Sequence, residues 1–210
     1  MYFFDYDNVK IFWGDLNAKE KIRKLLYGAT CSGTDNHIIQ GTIPFPVEYP
    51  TILGHESIGR VIETGSKVNH FQTGDLVTRV GAPSSEGVYA SNWGGFAELG
   101  IARDHWAMKR DGISREKWDS FRVNQIIPAG IEPAGATMII TWRETLSYLT
   151  RMGIGEGDTL LVIGSGGNGL SFAAHAVNRK CSQVDMIGNI NRKDVAKKIG
   201  ISNYCNYKKE

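Results

Sequence analysis

A glycine-rich turn at residues 164–169 constrains the fold more than any other part of the sequence. It reads Gly-Ser-Gly-Gly-Asn-Gly and fits the pattern G-x-G-x-x-G. An apolar segment, DTLLVIG (158–164), precedes it, and an amphipathic segment, LSFAAHAVNRK (170–180), follows it. In such a strand–turn–helix unit the glycines permit the tight turn, the approach of a pyrophosphate and the close packing of helix on strand. Because the helix N-terminus also offers N–H groups to phosphates, the pattern predicts dinucleotide binding.

We expect all six residues of this turn to contact the cofactor: Gly164, Ser165, Gly166, Gly167, Asn168 and Gly169. An acidic residue about 20 positions further along normally binds the ribose 2′-hydroxyl of NAD. Here the second strand, SQVDMIG (182–188), is followed by no carboxylate, and the candidate contacts are Gly188, Asn189 and Arg192. A glycine, amides and basic side chains leave room for a 2′-phosphate, so the sequence favours NADP over NAD. The alternative is that the basic residues simply begin a solvated helix.

Strands and helices go on alternating after this turn, which predicts a parallel, doubly wound α/β unit. A second helix, RKDVAKKIG (192–200), and a third strand, NYCNY (203–207), follow. A complete nucleotide domain of this kind has six strands in the order 3-2-1-4-5-6. With about three strands, the first one would expose an unpaired apolar edge. We therefore expect the chain to be a fragment or a truncated product that does not turn over substrate alone.

The first half of the chain is typical of a β-rich domain. Short β-segments separated by turns, IRKLLYGAT (22–30), IGRVIET (58–64) and DLVTRV (75–80), predict an irregular, barrel-like arrangement. Residues 81–95 are rich in Gly, Ser and Asn and predict a long surface loop.

Two helices are predicted between the β-rich part and the α/β unit. The polar, amphipathic segment 111–125 holds the first, with Ser114 as a candidate N-cap. The segment PAGATMIITWRETLSYLTRM (133–152) predicts a long helix that leads into the α/β unit. We therefore assign residues 1–138 to the β-rich domain and residues 139–210 to a linker helix and the first half of the α/β domain.

Composition limits the classes of partner. Hydrophobic residues make up 41% of the chain and charged residues 22%, and the formal net charge is +2, which gives no attraction to nucleic acid or anionic membranes. No run approaches the roughly 18 apolar residues of a membrane span, and the N-terminus lacks the basic region of a signal peptide. Three widely spaced cysteines, Cys31, Cys181 and Cys205, argue against a disulfide framework. We expect a cytoplasmic protein.

A longer pattern points to a family. Residues 53–77, LGHESIGRVIETGSKVNHFQTGDLV, match every fixed position of G-H-E-x-x-G-x-V-x-x-x-G-x-x-V-x-x-x-x-x-G-D-x-V. G-T-D (33–35), G-G-F-A-E (94–98) and the glycine turn occur in the order found there. The chain resembles the medium-chain dehydrogenase/reductase family, the group of the zinc alcohol and sorbitol dehydrogenases. The resemblance implies an N-terminal GroES-like catalytic domain, a Rossmann domain and an NAD(P) cofactor.

In that family a catalytic zinc polarises the alcohol or carbonyl oxygen while hydride moves to or from nicotinamide. Carried over to this chain, the zinc ligands are Cys31, His55 and Glu56, and the hydroxyl of Thr34 passes the alcohol proton. The implied catalytic residues are therefore Thr34, His55 and Glu56. The implied substrate is a small secondary alcohol or polyol, or the corresponding ketone, and the full-length form is implied to be a homo-oligomer.

Two departures from the family pattern leave other possibilities open. Cys31 stands one residue too early relative to G-T-D, so Ser32 takes its place unless the backbone bulges, and in an extended segment such a slip turns a side chain to the opposite face. Ile140 occupies the place of the later ligand, and Glu144, one helical turn further on, is the nearest substitute. The alternative enzyme is a zinc-free enone or quinone reductase. The alternative class is a non-catalytic remnant that binds nucleotide or a partner.

Other residues are assigned simpler roles. Residues 78–120 contain no cysteine, so the four-cysteine lobe that holds a structural zinc in some family members is missing, and no structural zinc is expected. His37, His70 and His105 are expected on the surface or in loops. Trp93 is a candidate either for substrate contact or for packing.

Overall fold

The computed structural model describes residues 33–85, 88–189 and 192–208, together with the backbone of residues 9–12. The chain divides into two compact units, residues 1–140 and 141–210. The predicted strand at 22–30 and the candidate ligand Cys31 lie outside the described residues.

An antiparallel sheet frames the first unit. Its strands, in spatial order β4-β3-β1-β6, are β1 (Val9–Phe12), β3 (Ile58–Glu63), β4 (Leu76–Thr78) and β6 (Leu99–Ala102). A separate parallel pair joins β2 (Thr51–Ile52) to β5 (Ala90–Ser91). The β-rich fold and the strands predicted at 58–64 and 75–80 are confirmed. The barrel-like arrangement is not, because the described strands form an open sheet whose outer strands, β4 and β6, do not pair with each other.

The core of this sheet comes from alternate strand positions. Val61 of β3 and Val77 of β4 are 1% and 0% exposed, and Phe71 packs with them, while Arg60 between the buried positions of β3 faces solvent. This is the period of two that a half-buried strand imposes. Residues 81–95 are not only a loop, because Ala90 N–H donates to the carbonyl of Pro50 at 2.8 Å and so starts strand β5.

Along the chain, β6 is followed by a series of mostly short helices. They are α2 (His105–Arg110), α3 (Arg115–Trp118), a 3₁₀ helix (Asp119–Val123), α4 (Pro133–Ala136) and α5 (Ile139–Arg151). The single helix predicted at 111–125 is therefore split, and Ser114 occupies the N-cap without a side-chain hydrogen bond. The helix predicted at 133–152 is interrupted after Ala136. There the hydroxyl of Thr137 donates to the carbonyl of Ala134 at 2.7 Å and competes with the helical pattern.

His105 is buried, at 7% exposure, so its predicted place on the surface is wrong. It is the first residue of α2, and its ring centroid lies 3.6 Å from that of Trp106, whose ring also stacks on His70 at 3.6 Å. The fully buried carboxylate of Asp104 caps the helix by accepting from Ala107 N–H, and it also accepts from the backbone N–H of His70. Because the capping residue Asp104 is buried, the neighbouring His105 is buried with it.

Burial lowers the pKa of His105 below its usual value of 6.5. The negative charge of Asp104 opposes this shift, while the positive charges of Arg122, His70 and Lys109 add to it. The unfolded chain therefore binds more protons at His105 than the folded chain does, just below pH 6.5.

We predict that the free energy of unfolding falls as the pH drops through about 6.5 and that His105 accounts for part of the slope. His105→Gln, which cannot titrate, should show a smaller loss of denaturant midpoint between pH 8 and pH 5 than the wild type. His37→Gln, on an exposed histidine, is the matched control and should keep the wild-type slope. Equal slopes in the wild type and the His105 variant would contradict the assignment.

The second unit is a three-stranded parallel sheet with helices between its strands. Its elements are β7 (Thr159–Ile163), α6 (Gly167–Asn178), β8 (Gln183–Gly188), α7 (Lys193–Ile199) and β9 (Asn203–Asn206), and the strand order is β7-β8-β9. The partial Rossmann fold with about three strands is confirmed. Val184, Met186, Ala173 and Leu149 form its buried core. In β7, Leu161 and Ile163 remain 53% and 79% exposed.

Within the described part of the chain, no helix is long and apolar enough to cross a bilayer.

Candidate functional site

The G-H-E segment of the first unit is held by hydrogen bonds on two sides. Gly95 N–H donates to the carbonyl of Gly54 at 2.8 Å, and Phe96 N–H donates to that of Leu53 at 3.0 Å, which ties the G-G-F-A-E segment to it. A Cβ at Gly54 would lie 2.9 Å from Phe96 N, so the two backbones touch. On the other side, the hydroxyl of Ser57 donates to the carbonyl of Val80 at 2.5 Å. His55 and Glu56 are thus buried at 8% and 3% exposure on a fixed backbone.

Asp35 connects this segment to helix α1 (Thr34–Ile39). Its Oδ1 accepts a hydrogen bond from Gly54 N–H at 3.3 Å and lies 3.6 Å from Nδ1 of His55. The carboxylate is itself buried, at 6% exposure. It therefore faces the histidine ring from a position where water competes little.

This arrangement selects the tautomer of His55. A carboxylate near Nδ1 favours the proton on that nitrogen and leaves the lone pair on Nε2, as is common for metal-binding histidines. In the described part of the chain, Nδ1 has no partner within hydrogen-bond distance, so a shift of a few tenths of an ångström would complete the contact. The ring also contacts Trp93, with centroids 5.2 Å apart.

Some of the side chains around His55 are of the types that bind zinc. The imidazole of His55 and the carboxylate of Glu56 are suitable donors, and Asp35 is placed as the outer partner of the histidine. A catalytic zinc needs three protein ligands, and the described residues contain no group of three or more His, Cys, Asp or Glu side chains that could hold a metal. His55 and Glu56 would thus supply only part of such a ligand set.

The other predicted residues of this site are placed as follows. Thr34 is half-buried and is the first residue of α1, while Cys31 and Ser32 lie outside the described residues. Ile140 is 2% exposed, whereas the side chain of Glu144 on the same helix, α5, is exposed.

The glycine turn of the second unit joins β7 to α6. Gly164 has φ +114°, a conformation that L-residues with a side chain rarely adopt. A Cβ at Gly169 would lie 1.9 Å from the carbonyl oxygen of Gly164, so helix and turn pack backbone against backbone. At Gly166, the N-cap of α6, an added Cβ would meet nothing within 4 Å among the described residues. The space that a side chain at residue 166 would fill is thus open, as the close approach of a pyrophosphate would need.

Two polar groups beside this turn lack hydrogen-bond partners among the described residues. One is the hydroxyl of Ser165, in a residue only 3% exposed. The other is the buried Nε of Arg192, the residue before α7. Buried polar groups are normally hydrogen-bonded, so each of these fits contact with a bound molecule. Asn189 is exposed at the end of β8, and Gly167 and Asn168 form the first turn of α6.

Gly188, at the end of β8, sets the shape of this turn. A Cβ there would lie 2.2 Å from the hydroxyl oxygen of Ser165 and 2.7 Å from that of Tyr204. Contacts this short force neighbouring groups to move. The strand end and the glycine turn can therefore approach only because residue 188 has no side chain.

We predict that Gly188→Ala destabilises the protein by roughly 2 kcal/mol and displaces Ser165. Its thermal melting temperature should fall by several degrees. Gly155→Ala is the matched control, because its Cβ would approach nothing closer than the Arg179 side chain at 3.9 Å. Equal melting temperatures for the two variants would show that the turn accommodates a side chain at residue 188.

Comparison with known proteins agrees with these features. The model of the alcohol dehydrogenase GroES-like domain matches residues 24–112. Sorbitol dehydrogenase of Halalkalibacterium halodurans is 31% identical over 183 residues, which cover 85% of this chain and 52% of the relative. NADP-dependent isopropanol dehydrogenase of Entamoeba histolytica is 28% identical over 192 residues, covering 86% of this chain and 50% of the relative.

Solved structures share the fold. The structure of CAD from Helicobacter pylori complexed with NADP(H) superimposes with a TM-score of 0.68 at 16% identity, covering 96% of this chain and 57% of that one. A GroES-like unit followed by a Rossmann-type unit defines the fold class. The chain belongs to the medium-chain dehydrogenase/reductase family, among its zinc-type alcohol dehydrogenase-like members. It spans about half the length of the curated relatives it matches.

The sequence does not predict that the side chains of Asp35 and Trp93 contact His55. Asp35 belongs to the G-T-D pattern, but that pattern does not indicate that its carboxylate lies 3.6 Å from Nδ1 of His55. Trp93 directly precedes G-G-F-A-E, but its sequence gave no sign that its ring would reach His55. Only the fold brings the segment that holds Trp93 next to the G-H-E segment.

Proposed function

We propose that the whole protein is an NAD(P)-dependent oxidoreductase that interconverts a secondary alcohol or polyol and its ketone with the help of zinc. The observation that carries the proposal is the buried arrangement of Asp35, His55 and Glu56 on the G-H-E segment. Buried ionisable groups are costly, and a cluster of them is typical of a catalytic site.

Each residue has a defined task in this proposal. His55 and Glu56, with Cys31, hold the metal, and Asp35 orients the histidine ring and fixes its tautomer. The hydroxyl of Thr34, at the start of α1, accepts the proton of the substrate alcohol and passes it toward solvent. When bound, zinc supplies polarisation of the substrate oxygen and nicotinamide accepts or donates the hydride.

The cofactor is proposed to be NADP. Gly164, Gly166 and Gly169 shape the turn for the pyrophosphate, and Arg192 follows the strand end where the ribose would lie. Two similar proteins support this choice. The isopropanol dehydrogenase relative is named as NADP-dependent, and the structural neighbour from Helicobacter pylori was solved with NADP(H). The proposed domains are residues 1–138 for catalysis and residues 139–210 for the linker helix and nucleotide binding.

A zinc-free reductase of enones or quinones is the second candidate, and Ile140 favours it. This residue stands in the place of the later family ligand and is apolar and 2% exposed. Zinc analysis of the purified full chain separates the two candidates. About one zinc per chain supports the first, and oxidation of NADPH by an enone or quinone without zinc supports the second. Binding of NADPH with neither activity would leave nucleotide binding as the function.

We predict that Asp35→Asn lowers zinc affinity by about 10- to 100-fold, because the histidine loses the anionic partner that orients it. Competition with a chromogenic chelator measures the affinity without any assay of turnover. Asp119→Asn is the matched control, since this exposed aspartate pairs with two surface arginines, Arg115 and Arg122. An unchanged affinity in Asp35→Asn would contradict the positioning role.

We also predict that Arg192→Gln weakens binding of NADPH by about tenfold while binding of NADH changes little, because only NADPH carries a 2′-phosphate. Quenching of protein fluorescence during titration measures both affinities. Lys198→Gln, on the exposed face of α7, controls for the loss of one positive charge. An equal loss for both nucleotides would argue against contact with the 2′-phosphate.

A further inference from the structure

Two accessible aromatic rings, Trp93 and Phe45, form an aromatic wall beside the candidate catalytic histidine. The ring of Trp93 contacts that of His55 at a centroid distance of 5.2 Å, and the ring of Phe45 meets Trp93 edge to face, at 6.4 Å and 84°. Trp93 is 39% exposed and Phe45 is 43% exposed, so a ligand can reach both rings. We propose that the aromatic wall binds a phenyl ring on the reacting carbon of the substrate. This inference rests on the proposed function and narrows its substrate class to aryl-substituted secondary alcohols and their ketones.

The spacing of the rings suits such a group. In the proposed function His55 lies next to the reacting oxygen, so a substituent on the reacting carbon comes close to the ring that contacts His55. Aromatic rings attract each other when their centroids are about 4.5–7 Å apart. Phe45 extends the apolar surface of Trp93, and a flat substituent can therefore contact both rings.

The indole of Trp93 is positioned before any ligand arrives. The guanidinium carbon of Arg79 lies 5.5 Å from its ring centroid, within the range in which a cation is attracted to the face of the ring. The edge-to-face contact with Phe45 restricts the ring further. A wall that is ordered in advance loses less entropy when a substrate binds.

The backbone at Trp93 has a conformation that a bulky residue rarely adopts. Its φ is +68°, in the left-handed region that favours glycine and asparagine. The neighbouring backbone imposes this conformation, because a Cβ at Gly81 would overlap the carbonyl oxygen of Trp93 and Ala82 N–H donates to the carbonyl of Gly94 at 3.0 Å. Such strain lowers stability and is concentrated at ligand sites. Ligand binding therefore explains an exposed indole at this position better than packing does.

The polar side chains that precede Trp93 are engaged in the fold. The amide of Asn92 donates to the hydroxyl of Thr51 at 2.7 Å, and the hydroxyl of Ser91 donates to the carbonyl of Ala82 at 2.5 Å. Against aromatic rings the hydroxyls of a polyol lose hydrogen bonds to water, which costs free energy. A phenyl ring instead gains free energy when it leaves water. This side of the site therefore favours an apolar substituent over a polyhydroxylated one.

The first test measures binding without turnover, by calorimetric titration of the full chain with acetophenone. Saturable binding is expected, and Trp93→Asn should weaken it by about tenfold or more because the ring contact is lost. Trp142→Leu is the matched control, since it removes an indole that is 40% exposed on helix α5, and it should leave the affinity unchanged.

Two further measurements separate binding from a structural role. Asparagine adopts the left-handed conformation more readily than tryptophan, so Trp93→Asn should keep or raise the melting temperature. A fall in melting temperature with unchanged affinity for acetophenone would assign the ring to packing and overturn the inference. Phe45→Leu changes an exposed side chain outside the strained segment and should weaken binding several-fold, which decides the question if Trp93→Asn does not fold.

The second test compares the oxidation of 1-phenylethanol and sorbitol by NADP, in which the carbinol carbon gives its hydride to NADP and the hydroxyl proton is released. The kcat/KM for 1-phenylethanol should be the larger, and Trp93→Asn should lower the ratio of the two values by about tenfold. Trp142→Leu should keep the wild-type ratio.

The two tests fail in different ways. Preference for sorbitol would overturn the inference and leave the proposed function intact. Turnover of neither alcohol, with binding of acetophenone that depends on Trp93, would contradict the proposed function and still support the aromatic wall. Absence of saturable binding of acetophenone, or equal binding by the wild type, Trp93→Asn and Phe45→Leu, would overturn the inference.

Discussion

The candidate site of the first unit depends on the contacts of the Asp35 carboxylate with Gly54 and His55. This carboxylate joins a helix to the G-H-E segment, since Oδ1 accepts from Gly54 N–H and lies 3.6 Å from Nδ1 of His55. A buried carboxylate is costly unless it is paired or hydrogen-bonded, so its position requires that both elements stay together. The same atom therefore supports the fold locally and directs the histidine ring. Structure and proposed chemistry share one contact.

Close backbone approach plays the corresponding part in the second unit. Gly169 packs on the carbonyl of Gly164, and Gly188 lets the end of β8 meet Ser165. These contacts leave no space for a side chain at residue 169 or 188, while the position of a side chain at residue 166 remains open. The turn thus presents backbone N–H groups where a phosphate would bind.

Much of the second unit could be predicted from sequence, because its signals are local. The strands at 158–164 and 182–188 and the glycine turn are each contained within a few residues, and the structure contains β7, β8 and α6 where they were expected. The first unit was predicted less well. The helix expected at 111–125 is divided, and His105 is buried, because capping by Asp104 and stacking on Trp106 outweigh local propensity.

The sequence by itself determined the family and the identity of the chemical groups, since the pattern over residues 53–77 and the glycine turn depend only on residue order. Only the tertiary structure decided which groups meet. Asp35 contacts His55 from 20 positions earlier in the sequence, and Trp93 contacts it from a segment later in the sequence. Asn124 bridges Arg79 and Arg103 in the same way. Such contacts follow from how strands and loops cross in space, and no local pattern carries that information.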